Sequence, residues 1–203
     1  MGNEIRFGFH QDQVRHIRSR LFVENFDIGD QVDVLRQARL LVPVDAEFGQ
    51  AVPDANVTYS DEGILQHRAS DVGVAVSVEG GLFTPVIRDA QAKSLKQISA
   101  EMKDLAARAK ARKLQPGDYQ GGSAAISNLG MFGVKNFNAI INPPHATILA
   151  VGAGEERGVW EKGVFVPATL MTVTLSVDHR AVDGALGAEA LQAFHYLCQI
   201  GRA

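Results

Sequence analysis

Apolar and polar positions run in two rhythms along the chain. Residues 11 to 22 place Val14, Ile17 and Leu21 on one helical face with Arg15, Arg18 and Arg20 around it, which predicts a short basic helix. Asp30 to Leu41, with Val32, Leu35 and Leu40 partly periodic, predicts a second helix that Pro43 stops. Val42 to Gln50 carries no clear pattern. Pro53 to Asn56 reads as a turn and Val57-Thr58-Tyr59 as a short strand. From Asp71 to Val78 the rhythm becomes period two, with Val72, Val74, Val76 and Val78 separated by small residues, so this is a strand. Glu79-Gly80-Gly81 makes a hairpin-like turn, and Leu82 to Ile87 returns as the partner, with Pro85 marking an edge or a bulge.

Ser94 to Lys113 is the clearest helix. Ser94 and Gln97 form a capping box, and Leu95, Ile98, Met102, Leu105 and Ala106 form the apolar stripe. Arg108, Lys110, Arg112 and Lys113 crowd its C-terminal end, where the helix dipole favours cations. Ser123 to Leu129 is a strand of small residues, Gly130 to Gly133 a turn, and Asn136 to Ile141 a short strand or turn leading to Asn142-Pro143-Pro144. Ala146 to Gly152 is a continuous apolar strand. Glu155 to Phe165 is a polar hairpin containing Trp160, followed by the β-branched run Leu170 to Leu175 and then a helix from Ala185 to Cys198. Many strands with helices before and after them predict an α+β sandwich in one domain spanning residues 1–203.

Composition narrows the function classes. The 203 residues are 46% hydrophobic and 21% charged, an ordinary globular balance. A net charge of -3 gives no reason to expect nucleic acid or an anionic membrane as partner, and no apolar run reaches the length of a membrane span. Cys198 stands alone, which rules out an intrachain disulfide and a cysteine-based zinc site and points to a buried structural thiol. No metal is expected.

The chemistry concentrates at Ser176 to Gly184. His179 closes a predicted strand, Asp183 follows one helical turn on, and Gly184 allows the bend into the last helix. A histidine at the mouth of a strand can reach a substrate proton, as a general base must. Asp183 also stands where a helix N-cap belongs. The other histidines, His10, His16, His67, His145 and His195, have no such context and read as ordinary core or surface residues.

Four segments in order carry a family resemblance: Gly80 to Ala90, Gly121 to Gly133, Ile141 to Pro144, and Asp178-His179-Arg180 with Asp183-Gly184. From about Asp54 onward the chain resembles the catalytic domain of the dihydrolipoamide acyltransferases of 2-oxo acid dehydrogenase complexes, with the chloramphenicol-acetyltransferase fold. Ile126 to Gly133 followed by Ile141 to Pro144 resembles the pyruvate branch. The resemblance implies acetyl transfer between dihydrolipoyl groups and coenzyme A. It implies His179 as general base and Ser127, rather than Ser123, as the oxyanion donor. Asp183 would orient the loop through an ion pair with Arg18 or Arg20. It further implies a homotrimer with the active site between subunits, Ser127 of one chain facing His179 of the next. Lipoyl groups would arrive on separate lipoyl domains, and the pyruvate dehydrogenase and dihydrolipoamide dehydrogenase components would be partners, in a mitochondrial matrix or a bacterial cytoplasm.

The chain departs from the family pattern in two places. Residues 21–52 are shorter by roughly two dozen positions than the usual element lengths require. The C-terminal tail that docks trimers on one another does not follow Gln199-Ile200-Gly201, and no lipoyl or peripheral-subunit-binding segment is seen. These departures predict a core fragment or reduced paralogue whose trimers do not build large cubic or dodecahedral cores. They also give the alternative reading, a non-catalytic structural core component like protein X that binds dihydrolipoamide dehydrogenase. The cationic run Arg108 to Lys113 is a solvated face or, as the weaker reading, a landing place for coenzyme A phosphates.

Overall fold

A computed structural model describes residues 6–8, 14–22 and 49–200. The helix expected over Asp30 to Leu41, and the shortened stretch around it, fall outside the described residues. One eight-stranded sheet organises the rest. It contains β1 (Arg6–Gly8), β2 (Val14–Phe22), β5 (Val72–Val74), β8 (Val86–Ile87), β9 (Ala124–Asn128), β10 (Thr147–Val151), β11 (Glu155–Glu161) and β12 (Val164–Asp178). Their order is β1-β2-β12-β10-β9-β5-β8, with β11 paired to the first half of β12. Two hairpins stand outside it: β3 (Val57–Ser60) with β4 (Gly63–Gln66), and β6 (Val76–Val78) with β7 (Gly81–Phe83).

The central strand is β10, buried along its whole length between parallel β9 and antiparallel β12. Both of its faces are covered, which explains why Thr147 to Val151 reads as an unbroken apolar run. On one face Ile126, Leu149, Val151, Val173, Leu175 and Val177 join the main core. Two helices pack there: α1 (Leu95–Lys110) through Ile98, Met102 and Leu105, and α3 (Gly184–Ile200) through Ala190, Leu191 and Phe194. The other face is built from small side chains. Ala125, Ile148 and Ala150 meet Ala139, Phe137 and Ile141 from the irregular segment after β9, and Ser176 donates to the Ala139 carbonyl at 2.8 Å.

Helix α1 starts as its sequence dictates. Ser94 accepts from the Gln97 backbone N–H, and the Gln97 side chain accepts from the Ser94 N–H at 2.8 Å. Leu95, assigned to the stripe, is instead 48% exposed, while Ala109 is fully buried in its place. A single turn, α2 (Pro116–Tyr119), follows and is tied to α1 by Arg108, which pairs with Asp104 at 2.7 Å and with Asp118.

The structure corrects three expectations. Residues 14–22 form a strand, not the basic helix. Leu170 to Asp178 of β12 would otherwise leave an open edge, and β2 fills it residue for residue, from Leu170 opposite Phe22 to Asp178 opposite Val14. Tertiary pairing overrides a helix-like spacing of apolar residues. Asp71 to Val78 is two strands in two sheets: β5 pairs with β8 and β9, a pairing that the Ala75 N–H extends to the Ile126 carbonyl, and from Val76 the chain pairs with β7 instead. The returning strand breaks likewise, with Thr84-Pro85 separating β7 from β8, the last strand of the sheet, where a residue without an N–H is tolerated.

Candidate active site

His179 stands on a turn fixed at both ends. At its entrance the Asp178 N–H donates to the Ala146 carbonyl at 2.8 Å, so the turn begins where β12 still touches the start of β10. The Asp178 carbonyl accepts from Ala181 at 3.0 Å and from Val182 at 2.9 Å. Val182 is wholly buried in the main core. At the exit the Asp183 carboxylate accepts from the Leu186 N–H at 2.8 Å and caps α3. His179 is left half-buried between these anchors.

The residues on either side of the histidine pair with each other. The Asp178 carboxylate accepts from the Arg180 backbone N–H at 3.1 Å and from its guanidinium at 2.6 to 3.2 Å. Those guanidinium bonds hold the Asp178 carboxyl below the usual aspartate range and push Arg180 up. The Arg180 guanidinium lies 3.9 Å from the ring centre of Tyr59 in β3.

Ser127 lies at the other end of the sheet, on β9, on the face opposite the helices and in one transverse row with Ala150 and Thr174. From Thr174 to Asp178 is roughly 13 Å along β12, and two strand spacings add about 10 Å across, so Ser127 and the histidine turn are roughly 16 Å apart in one protomer. A single chain does not bring the two together. Ser123 is fully buried and shares weak bonds with the Asp71 backbone, its hydroxyl 3.3 Å from the N–H and 3.4 Å from the carbonyl.

The ion pair expected between Asp183 and Arg18 or Arg20 concerns side chains outside the described residues; in the backbone, Arg18 stands opposite Thr174 and Arg20 opposite Thr172. Arg108 is occupied by Asp104 and Asp118, and Arg112 donates to the Glu79 carbonyl, so half of the cationic run works within the fold.

His145 is the buried histidine of the described region. It is 2% exposed, its Nδ1 lies 2.6 Å from the Asn142 carbonyl oxygen, and Nε2 has no partner. Gly73 and Gly122 make room for it, since a Cβ on either would sit within 3.0 Å of Nε2. Burial holds its pKa below the ordinary histidine value. His67 pairs with Thr58 at 3.0 Å. Among the described residues no group of three or more His, Cys, Asp or Glu gathers as a metal site.

A family model for the 2-oxoacid dehydrogenases acyltransferase catalytic domain matches residues 35–200. The chain belongs to that family. A dihydrolipoyllysine-residue acetyltransferase component of the pyruvate dehydrogenase complex from Rhizobium meliloti (strain 1021) is 64% identical over 143 residues, covering 70% of this chain and 32% of the relative. This acyltransferase domain thus spans about a third of the length of that curated relative. Among solved structures, the dihydrolipoamide acetyltransferase of Azotobacter vinelandii matches with a TM-score of 0.82 at 28% identity, over 91% of this chain and 81% of that one. A chloramphenicol acetyltransferase matches with a TM-score of 0.54 at 14% identity, over 93% of this chain and 87% of that one, which shows the shared α+β fold. The resemblance read from the four sequence segments, including its pyruvate branch, therefore holds.

Proposed function

We propose that this domain transfers an acetyl group between dihydrolipoyl groups and coenzyme A, from a site shared by two copies of the chain in a homotrimer. The observation that carries the reading is the separation of Ser127 from the histidine turn within one protomer, together with their spacing in sequence. In the Azotobacter protein a serine, a histidine and an asparagine investigated for their catalytic roles lie 52 and 4 residues apart, the same intervals as from Ser127 to His179 and from His179 to Asp183. Two groups that match in spacing yet stand far apart in one copy can meet only across a contact between copies.

The chemistry follows from the groups. A thiol of coenzyme A or of dihydrolipoamide is mostly protonated near neutrality, and His179 takes its proton as the sulfur attacks the thioester carbonyl. A C–S bond forms, the carbonyl becomes an oxyanion, and the Ser127 hydroxyl of the neighbouring copy donates to it. Collapse breaks the other C–S bond, and the departing sulfur recovers the proton from the imidazolium. Asp183 holds the exit of the turn as the α3 cap, and an ion pair with Arg18 or Arg20 would add to that hold. The lipoyl group comes on a separate lipoyl domain, with the pyruvate dehydrogenase and dihydrolipoamide dehydrogenase components as partners, in a bacterial cytoplasm or a mitochondrial matrix. The joint presence of Ser127, His179 and Asp183, the last standing where the Azotobacter protein has asparagine, speaks against the non-catalytic core reading.

Subunit mixing tests it. His179→Ala lowers transfer from acetyl-CoA to dihydrolipoamide about 10²- to 10⁴-fold, and Ser127→Ala about 10²- to 10³-fold. Refolded together in equal amounts, the two inactive variants recover about a quarter of wild-type activity, because that fraction of interfaces in a closed ring pairs an intact histidine with an intact serine. Full activity in His179→Ala removes the enzymatic reading. Two dead variants that do not complement remove the shared site.

A further inference from the structure

We propose that Tyr59 is a positioning residue for His179, acting through Arg180. The proposal rests on His179 being the base. An Arg–carboxylate pair at a surface is ordinarily worth little, because either side chain is free to leave. Here the pair joins residues two apart, and the residue between them is His179. Closing the Asp178 and Arg180 side chains on each other therefore fixes the backbone that carries the imidazole. Asp178 is 13% exposed in its side chain and Arg180 41%, so the weak point of the clamp is the arginine. Tyr59 covers one face of that guanidinium while its edge meets the carboxylate, an arrangement that arginine's flat fork allows.

The ring does not float free. Tyr59 belongs to the β3–β4 hairpin, and its neighbour Thr58 bridges to His145. His145 precedes Ala146, whose carbonyl accepts from the Asp178 N–H. Tyr59, Thr58, His145, Ala146, Asp178 and Arg180 thus make a closed circuit of contacts. Asp61 at the hairpin turn adds a favourable charge for the guanidinium. The β3–β4 hairpin lies outside the main sheet, so its position bears on the histidine through this ring.

The test compares side chains that keep or remove the π face. Tyr59→Phe keeps wild-type kcat. Tyr59→Leu lowers kcat about tenfold, as loss of precise placement does, with the KM for acetyl-CoA and for dihydrolipoamide unchanged. Arg180→Lys, which removes the fork and leaves Tyr59 intact, gives the same kcat loss and covers the case in which Tyr59→Leu does not fold. Wild-type kcat in Tyr59→Leu or in Arg180→Lys overturns the proposal, as does an equal loss in Tyr59→Phe and Tyr59→Leu. His179→Ala is assayed alongside. If it is active, the failure lies with the base; if it is inactive and Tyr59→Leu is not impaired, the failure lies with the brace.

Discussion

The serine end of the sheet and its histidine end are held by different physics. At the serine end backbones meet backbones. A Cβ on Gly130 would come within 2.9 Å of Gly152 and Ala153 main-chain atoms, and one on Gly152 would collide with the Lys135 carbonyl. Gly152 donates to Thr172 at 2.9 Å and Ala153 to Val134 at 2.8 Å, so the loops after β9 and β10 lock by shape. At the histidine end the turn is held by charge and ring: Asp178, Arg180, Tyr59 and the Asp183 cap. On the proposed mechanism, the donor needs only a fixed hydroxyl and sits on a rigid strand, whereas the base must carry a proton both ways and stands on a turn that needs bracing.

The contrast can be broken at either end. Gly152→Ala is expected to act most strongly, because the obstruction is main chain and cannot rotate away. It should cost about 3 kcal/mol, a fall in Tm of roughly 6–12 °C, independent of salt. Thermal unfolding within a degree of wild type would show that shape does not hold the serine end. Asp183→Ala comes next, losing about 1 kcal/mol with the cap, whereas Asp183→Asn loses less because the amide oxygen still accepts from Leu186. Equal losses in the two would deny the capping role. The smallest effect is acid sensitivity at the histidine end. His145 is held neutral by burial, so the unfolded chain binds more protons below its ordinary pKa near 6.5, and stability falls as pH drops through that value. Melting curves at pH 7.5 and 5.5 should show the decline in wild type, and His145→Met, similar in bulk and not titratable, should flatten it.

What the sequence revealed and concealed follows the same division. Helix α1 was legible because Ser94 and Gln97 act locally, and β10 because burial on two faces leaves an unbroken apolar run. The β11–β12 hairpin was legible as the polar hairpin over Glu155 to Phe165, and the structure turns it at Lys162-Gly163, both in positive φ. Strand β2 was not, since its partner lies far along the chain and its apolar spacing mimics a helix. Nor was the break at Ala75, where alternating valines continue while the hydrogen-bonding partner changes. At the candidate site, the placement of His179 at a strand end and of Asp183 at a helix start could be read from neighbours in sequence. The Tyr59–Arg180 contact could not, because nothing local couples an aromatic in one hairpin to a turn near the other terminus. The distance between Ser127 and the histidine turn is likewise a property of strand order, invisible until the sheet is assembled.

That distance has a genetic corollary. If each crevice borrows one group from either side, a copy defective in both spoils two of the three junctions in its ring. A minority of faulty chains would then silence a majority of sites, and damage in a mixed population would be dominant rather than proportional.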